Sequence, residues 1–261
     1  MTWTIAVAGK GGTGKTTVAS LLVRNLIQMG KTPVLAVDAD PDANFSTGVG
    51  VKVHKTIGQI LQEWLDQKLN LPGGISKQEY LTLKLNQAIE EKKNFDLITM
   101  GRPHGPGCYC SANSVLRDFV DQLKKNYSSL VVDNEAGMEH LSRKIIDGID
   151  VLVMVADPTP VGVRTTQRLI ELANELNMKI GTIALLINRV KNEITDITKE
   201  IVKQINVDVI DYIPVDEMVE KCSLEEISLI TLPDHNNAVR AVKSFLEKLQ
   251  LDANEKSLTL S

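Results

Sequence analysis

The nine residues Gly9 to Thr17, GKGGTGKTT, constrain this chain more than any other stretch. They follow a short β-rich run, Thr4 to Ala8, and open a helical pattern that begins at Lys15. Gly9 to Thr16 satisfies the spacing G-x-x-x-x-G-K-[ST], and the strand before it and helix after it give that spacing its meaning. Glycines let successive backbone N–H groups turn toward one anion, and a helix starting at Lys15 aims its positive dipole end at the same point. The segment predicts a cradle for nucleotide phosphates built from Gly9, Lys10, Gly11, Gly12, Thr13, Gly14, Lys15, Thr16 and Thr17. Lys15 is expected to reach the β- and γ-phosphates, and Thr16 to offer its hydroxyl to Mg²⁺. A glycine turn that merely joins strand to helix is the plainer alternative, and it needs neither the full spacing nor this placement. Lys10 sits on the outer lip of the loop, where it cannot easily point into its own cradle. A cation there is placed to reach a neighbouring subunit's phosphates across a two-fold axis, as an arginine finger does in trans; otherwise it is a solvated lysine.

Short β-rich runs then alternate with helical patterns along the chain. Thr4 to Ala8, Pro33 to Asp38, Asp96 to Met100, Leu130 to Asp133, Val151 to Ala156, Thr182 to Asn188 and Val209 to Pro214 read as strands. Runs such as VLVMVA and IALLIN are continuously apolar, which suits parallel strands covered on both faces. Helical patterns span Lys15 to Met29, Ile57 to Gln67, Gln78 to Lys92, Asn113 to Lys124, His140 to Asp147, Val163 to Leu176, Ile194 to Gln204 and Asn237 to Leu249. The alternation predicts an α/β fold: a single-domain, doubly wound, mostly parallel sheet with P-loop architecture. At 261 residues the chain fits one such domain, here drawn over 1–251. The excursion from Val49 to Asn94, with two helical segments, reads as an inserted cap or partner contact. Asp252 to Ser261 lacks apolar periodicity and reads as a disordered tail.

The chain has 29 basic and 33 acidic side chains, a formal charge of −4. That balance leaves no electrostatic footprint for non-specific nucleic-acid binding, so no nucleic acid is expected as partner. No apolar run approaches the roughly 20 residues needed to span a bilayer, and no secretory signal is visible. A cytoplasmic protein without a membrane partner is expected, its thiols reduced.

Carboxylates follow two of the strands. The run ending in LAVD continues as Asp38-Ala-Asp40-Pro41-Asp42-Ala-Asn44, and LVVDNEAG places Asp133 at the end of another strand. Acids beyond the carboxyl ends of parallel strands lie on the ligand side of such a sheet. Two of them close together can divide labour, one supporting the Mg²⁺ shell and one orienting the attacking water, although Asp-Pro-Asp also suits an ordinary turn. Asp133 fits a carboxylate that reaches Mg²⁺ through water, and Gly137 supplies a hinge behind it.

The loop with its early Lys10 resembles the deviant Walker A motif of the MinD/ParA/nitrogenase-iron-protein class of dimerising ATPases, whose later motifs also appear here in order. The resemblance implies ATP rather than GTP and a sandwich homodimer closed by nucleotide. It implies catalytic roles for Lys10, Lys15 and Asp40, with Asp40 positioning water in the first switch. Thr16, Asp38 and Asp133 would then serve magnesium, and Asn44 would contact the dimer or the γ-phosphate. The class also implies that Asn188, with Arg189, reads the adenine edge and that Pro214, Val215 and Asp216 flank the ring. As residues alone, these could equally be helix caps or loop positions.

Cys108-Tyr109-Cys110 lies in the glycine- and proline-rich GRPHGPGCYCSANSVLR. Two thiolates do not fill a tetrahedral site, but a symmetric dimer would present four sulfurs about its axis. A redox pair and two unrelated loop cysteines are the alternatives; His104 reads as a solvated loop histidine, with a spare ligand as the other reading, and Cys222 as an isolated packed or surface thiol. GRP followed by GCYC, together with DNEAGMEHLSR, resembles the CooC family and its sibling AcsF, nickel-maturation ATPases for carbon monoxide dehydrogenase and acetyl-CoA synthase. The resemblance implies Ni²⁺ or Zn²⁺ on Cys108 and Cys110 between subunits, and a nickel enzyme as client. Asn134 stands where a small hydroxyl residue is frequent in the switch, leaving Asp133 and Glu135 in place. An electron-transfer ATPase with a dimer-bridging [4Fe–4S] cluster, and a spatial organiser of the MinD/ParA type, are the competing classes.

Overall fold

The computed structural model describes residues 2–66, 74, 76–101, 118–136 and 148–259, the last eight of these and residues 65–66 by backbone only. Its strands are β1 (Trp3–Gly9), β2 (Val34–Asp38), β3 (Ile89–Glu91), β4 (Phe95–Thr99), β5 (Ser129–Asp133), β6 (Ile149–Ala156), β7 (Ile180–Val190) and β8 (Val209–Pro214). Its main helices are α1 (Lys15–Gln28), α2 (Phe45–Val49), α3 (Ile57–Asp66), α4 (Lys77–Asn86), α5 (Pro160–Glu175), α6 (Asp196–Gln204), α7 (Glu217–Leu224) and α8 (Asn237–Thr259). One eight-stranded sheet runs in the order β3-β4-β2-β5-β1-β6-β7-β8. Every described pairing is parallel except β3 with β4.

Alternation along the strands sorts side chains between the two faces of the sheet. Ile5 and Val7 of β1, Val34 and Ala36 of β2, and Val151, Val153 and Val155 of β6 pack with α1 and α8 through Val18, Leu22, Leu26, Val242 and Phe245. Ala6, Ala8, Leu152 and Met154 face the other way, toward Val163, Ile170 and Ala173 of α5 and Ile201 of α6. Further along that second face, Leu35, Val37, Ile98 and Val132 meet Ile57, Ile60, Trp64, Leu81 and Leu85 of α3 and α4. With both faces covered, the strands need the continuous apolar runs that the sequence shows.

From β1 the chain moves through α1 to β2 on one side, whereas β6, β7 and β8 build outward on the other. The carboxyl end of β1 therefore lies where the winding direction reverses, the place where open α/β sheets receive ligands.

Several elements depart from expectation. The helix predicted over Gln78 to Lys92 stops at Asn86, and Ile89–Glu91 turns back as the antiparallel edge strand β3. The buried Glu90 is held there by the backbone N–H of His54, 2.7 Å away, and by its ring nitrogen. The short helix α2 and the helix α7 were not anticipated. The segment expected as an inserted cap supplies α3 and α4, whose apolar faces are committed to the sheet core. Where a disordered tail was expected from residue 252, backbone helix continues to Thr259; the stretch has no glycine or proline to stop it. The helix expected over His140 to Asp147 lies outside the described residues, as does the first part of the one expected over Asn113 to Lys124, of which 118–123 are helical.

Candidate nucleotide site

Four of the sheet's carboxyl ends build the site. The phosphate loop leaves β1 at Gly9, whose φ is +147° and where a Cβ would stand 2.3 Å from the Val155 carbonyl oxygen of β6. Only glycine lets the two backbones approach so closely. The loop enters α1 through Gly14, φ +91°, where a Cβ would stand 2.3 Å from Asn188 Nδ2 of β7. Between them, Lys10, Gly11 and Gly12 are exposed and Thr13 is buried. The Thr13 hydroxyl donates to the Lys10 carbonyl at 2.9 Å, closing the turn.

The two loop lysines differ in exposure. Lys15 is buried, and its Nζ donates back to the Lys10 carbonyl at 3.4 Å, so its charge rests inside the loop. Lys10 is exposed on the lip. Thr16 and Thr17 open α1 half-buried, without an acidic residue in that turn to compete for an anion.

Asp38 and Asp133 end β2 and β5 and are register partners across the two strands. Both are almost wholly buried. Asp38 accepts from the N–H of Asp40 at 3.1 Å and from the N–H of Phe45 at 3.0 Å, so it organises the loop that follows it. Its carboxyl is pushed up to about 7, mainly by burial and next by Asp133. Asp133 is also pushed up to about 7 by burial, against the pull of the nearby Thr16 hydroxyl and Lys15 ammonium. Neither oxygen of Asp133 has a hydrogen-bond partner among the described residues. Two buried carboxylates side by side, with a threonine hydroxyl near one of them, form an oxygen-rich donor set that fits Mg²⁺. Thr16, Asp38 and Asp133 would hold the ion directly or through water.

Asp40 is half-buried just beyond, accepting from the Asp42 N–H at 2.9 Å while its own carbonyl accepts from the Ala43 N–H at 3.0 Å. This turn, with Ala43 at φ 54°, leads through Asn44 into α2. The Asp-Pro-Asp turn and a water-orienting Asp40 are thus compatible in one structure.

The residues expected at the base make the following contacts within the chain. Asn188 is buried, and its Nδ2 donates to the Thr13 carbonyl at 2.9 Å. Arg189 sends Nη1 to the Gly12 carbonyl at 3.0 Å. Asp216 caps α7, accepting from the N–H groups of Met218 and Val219 at 3.0 and 3.2 Å and from Asn236 Nδ2 at 2.8 Å. Pro214 ends β8, and the Val215 N–H donates to the Val190 carbonyl.

Asn134, where the sequence departs from the commonest switch pattern, is buried and donates twice to the Val7 carbonyl, from its backbone N–H at 3.1 Å and from Nδ2 at 2.9 Å. It ties the end of β5 to β1, which a hydroxyl side chain is too short to copy with the same reach. Nothing in the sequence pattern distinguishes such an asparagine from a turn residue.

Gly137, His104, Cys108 and Cys110 lie outside the described residues. Cys222 is packed against the core on the α1 side, its thiol pushed up by burial. Among the described residues no group of three or more His, Cys, Asp or Glu is arranged to hold a metal ion. No described helix is long and apolar enough to cross a membrane.

Comparison with known proteins agrees with this geometry. Residues 4–230 match the family described as the CobQ/CobB/MinD/ParA nucleotide binding domain. An uncharacterised ATP-binding protein of Methanocaldococcus jannaschii, MJ0685, is 39% identical over 94% of this chain and 97% of its own length. The carbon monoxide dehydrogenase accessory protein CooC of Rhodospirillum rubrum is 30% identical, over 73% of this chain and 75% of its own. Among solved structures, a chain of the MinC:MinD cell division protein complex of Aquifex aeolicus superimposes with a TM-score of 0.70 at 20% identity, covering 95% of both chains. MinD of Pyrococcus horikoshii with Mg-ADP gives 0.67 at 20% identity, over 95% of this chain and 96% of that one.

Proposed function

The chain belongs to the CobQ/CobB/MinD/ParA family of nucleotide-binding ATPases, and we propose that it is a homodimeric ATPase that carries nickel to a carbon monoxide dehydrogenase or acetyl-CoA synthase. The observation that carries this reading is the 30% identity to CooC across 73% of the chain, joined to the GCYC segment at Cys108 and Cys110. Nickel is the cargo, held by two thiolates from each subunit.

In this reading Lys15 and the loop amides grip the β- and γ-phosphates, while Lys10 reaches the partner's nucleotide across the interface. Asp40 orients the water that attacks the γ-phosphate. Mg²⁺, bound with the nucleotide, would neutralise phosphate charge beside Thr16, Asp38 and Asp133. The burial of Lys15 and the two aspartates supports this division of labour, because charges in a water-poor site act more strongly than in solvent.

Equilibrium dialysis with Ni²⁺, coupled to light scattering, tests the cargo. One ion per two chains is expected, lost in the Cys108→Ala/Cys110→Ala double variant while ATP binding persists. One ion on each isolated monomer at full affinity would count against it. A brown, visible-absorbing protein from anaerobic purification would instead indicate an iron–sulfur cluster. The septum site-determining protein MinD of Bacillus subtilis, 26% identical over 84% of this chain, favours a second reading as a spatial organiser. ATP-dependent co-sedimentation with lipid vesicles would support that reading.

A further inference from the structure

The end of β7 reaches across the sheet to the phosphate loop, and it does so through carbonyl groups. Asn188 Nδ2 holds the Thr13 carbonyl at 2.9 Å and Arg189 Nη1 holds the Gly12 carbonyl at 3.0 Å. In a trans peptide the C=O and the following N–H point in opposite directions. Fixing the Gly12 carbonyl toward β7 therefore turns the Thr13 N–H away from it, onto the Lys10 carbonyl at 3.4 Å, and fixing the Thr13 carbonyl turns the Gly14 N–H away in the same manner. Two consecutive peptides of the loop, one closing its turn and one carrying the Gly14 N–H, are set by two side chains that stand outside it.

Three further observations show that this corner is built rather than incidental. Arg189 has φ 60°, a left-handed conformation that a long side chain adopts at a cost. Its N–H donates to Asn188 Oδ1 at 2.9 Å, which fixes the amide so that the nitrogen faces the loop. Gly14 has no room for a side chain, because Asn188 Nδ2 occupies the position a Cβ would take. The loop carbonyls would otherwise be free to rotate, since glycine-rich backbone has low barriers between orientations.

We infer that Asn188 and Arg189 are positioning residues that act on the phosphates through the loop, Arg189 by fixing the Gly12–Thr13 peptide in its turn and Asn188 by holding the Gly14 amide in the orientation that accepts an anion, and that their effect on affinity is independent of the base. This rests on reading the loop as the phosphate cradle. It differs from the role the sequence suggests for Asn188 as a reader of the adenine edge.

A base-free ligand separates the two roles. Calorimetric affinities of Mg²⁺-ATP and Mg²⁺-tripolyphosphate are measured on the full chain and on three variants. Asn188→Asp is isosteric but sets an oxygen against the Thr13 carbonyl; Arg189→Met removes an exposed donor; Arg189→Lys restores one. Loss of a charge-assisted or buried hydrogen bond that aligns the donors predicts a fall of about ten- to a hundredfold for Asn188→Asp. The fall should be the same factor for ATP and for tripolyphosphate. Arg189→Met should lose roughly three- to tenfold for both, and Arg189→Lys should recover part of it. A loss confined to ATP, or no loss for either ligand, overturns the inference. Should Asn188→Asp fail to fold, the Arg189 pair carries the test, because that side chain reaches the loop from the surface. Failure of the unaltered chain to bind either ligand would overturn the reading of the loop itself, a different result from any outcome above.

Discussion

The two sides of the nucleotide site are held in opposite ways. On the phosphate-loop side, the buried Lys15 and the carbonyls of Lys10, Gly12 and Thr13 all have partners. On the carboxylate side, Asp38 and Asp133 lie side by side in register, both buried, and Asp133 has no hydrogen-bond partner among the described residues. The first side is assembled before any ligand arrives. The second stores unfavourable energy that a bound cation would relieve, since buried like charges disfavour each other and an ion between them reverses the sign. A site of this kind should grip phosphate by geometry and acquire its metal by electrostatic relief.

Four measurements would break or sharpen that contrast. The largest effect belongs to Asp40→Ala, which should retain ATP yet slow steady-state phosphate release by about 10²- to 10⁴-fold; unimpaired turnover would remove Asp40 from the reaction. Lys15→Ala should weaken ATP by about a hundredfold in calorimetry, because the helix start loses its buried cation. Asp133→Asn should do the reverse to the empty protein. It removes a buried carboxylate whose desolvation outweighs the pull of Thr16 and Lys15, so the unfolding free energy from denaturant titration should rise by about 1–3 kcal/mol, while Mg²⁺-dependent hydrolysis falls. A drop in stability would show that the carboxylate is already satisfied. The smallest effect is the pH dependence. Asp38 and Asp133 are both raised from 3.8 to about 7 in the fold, so the folded state keeps protons that the unfolded state has already released. The stability of nucleotide-free protein should be full below about pH 4 with respect to these groups and decline as pH rises toward 7. Thermal midpoints across that window should flatten in the Asp38→Asn/Asp133→Asn variant.

The sequence carried much of this, unevenly. Seven strands were legible because parallel strands covered on both faces must be continuously apolar, as VLVMVA and IALLIN are. The edge strand β3 was not, because three residues reading Ile-Glu-Glu carry no alternation, and the pairing of Glu90 with His54 spans 36 positions. The strand-to-helix turn over Gly9 to Lys15 was legible from spacing, since its backbone geometry admits few residue types, and Asp38 and Asp133 were legible as strand ends. The work of Asn188 and Arg189 was invisible, because a side-chain bond to a carbonyl 175 positions earlier leaves no local pattern. Asp216 was open between a ligand contact and a helix cap in the sequence, and in the structure it caps α7.

One contact far from the ligand bears on how the chain comes to work at all. Buried Arg24 of α1 donates through Nε to the Leu232 carbonyl at 2.9 Å and pairs with Asp234 at 2.7 Å, and Asn25 reaches the Val239 carbonyl at 3.3 Å. The helix that begins with Lys15 and Thr16 is therefore seated by residues more than two hundred positions downstream. During synthesis on a ribosome the glycine loop emerges early, yet its supporting helix stays without that seat until the stretch around Leu232 to Val239 has left the exit tunnel. A fragment ending before Leu232 would carry the phosphate motif without these contacts under its helix.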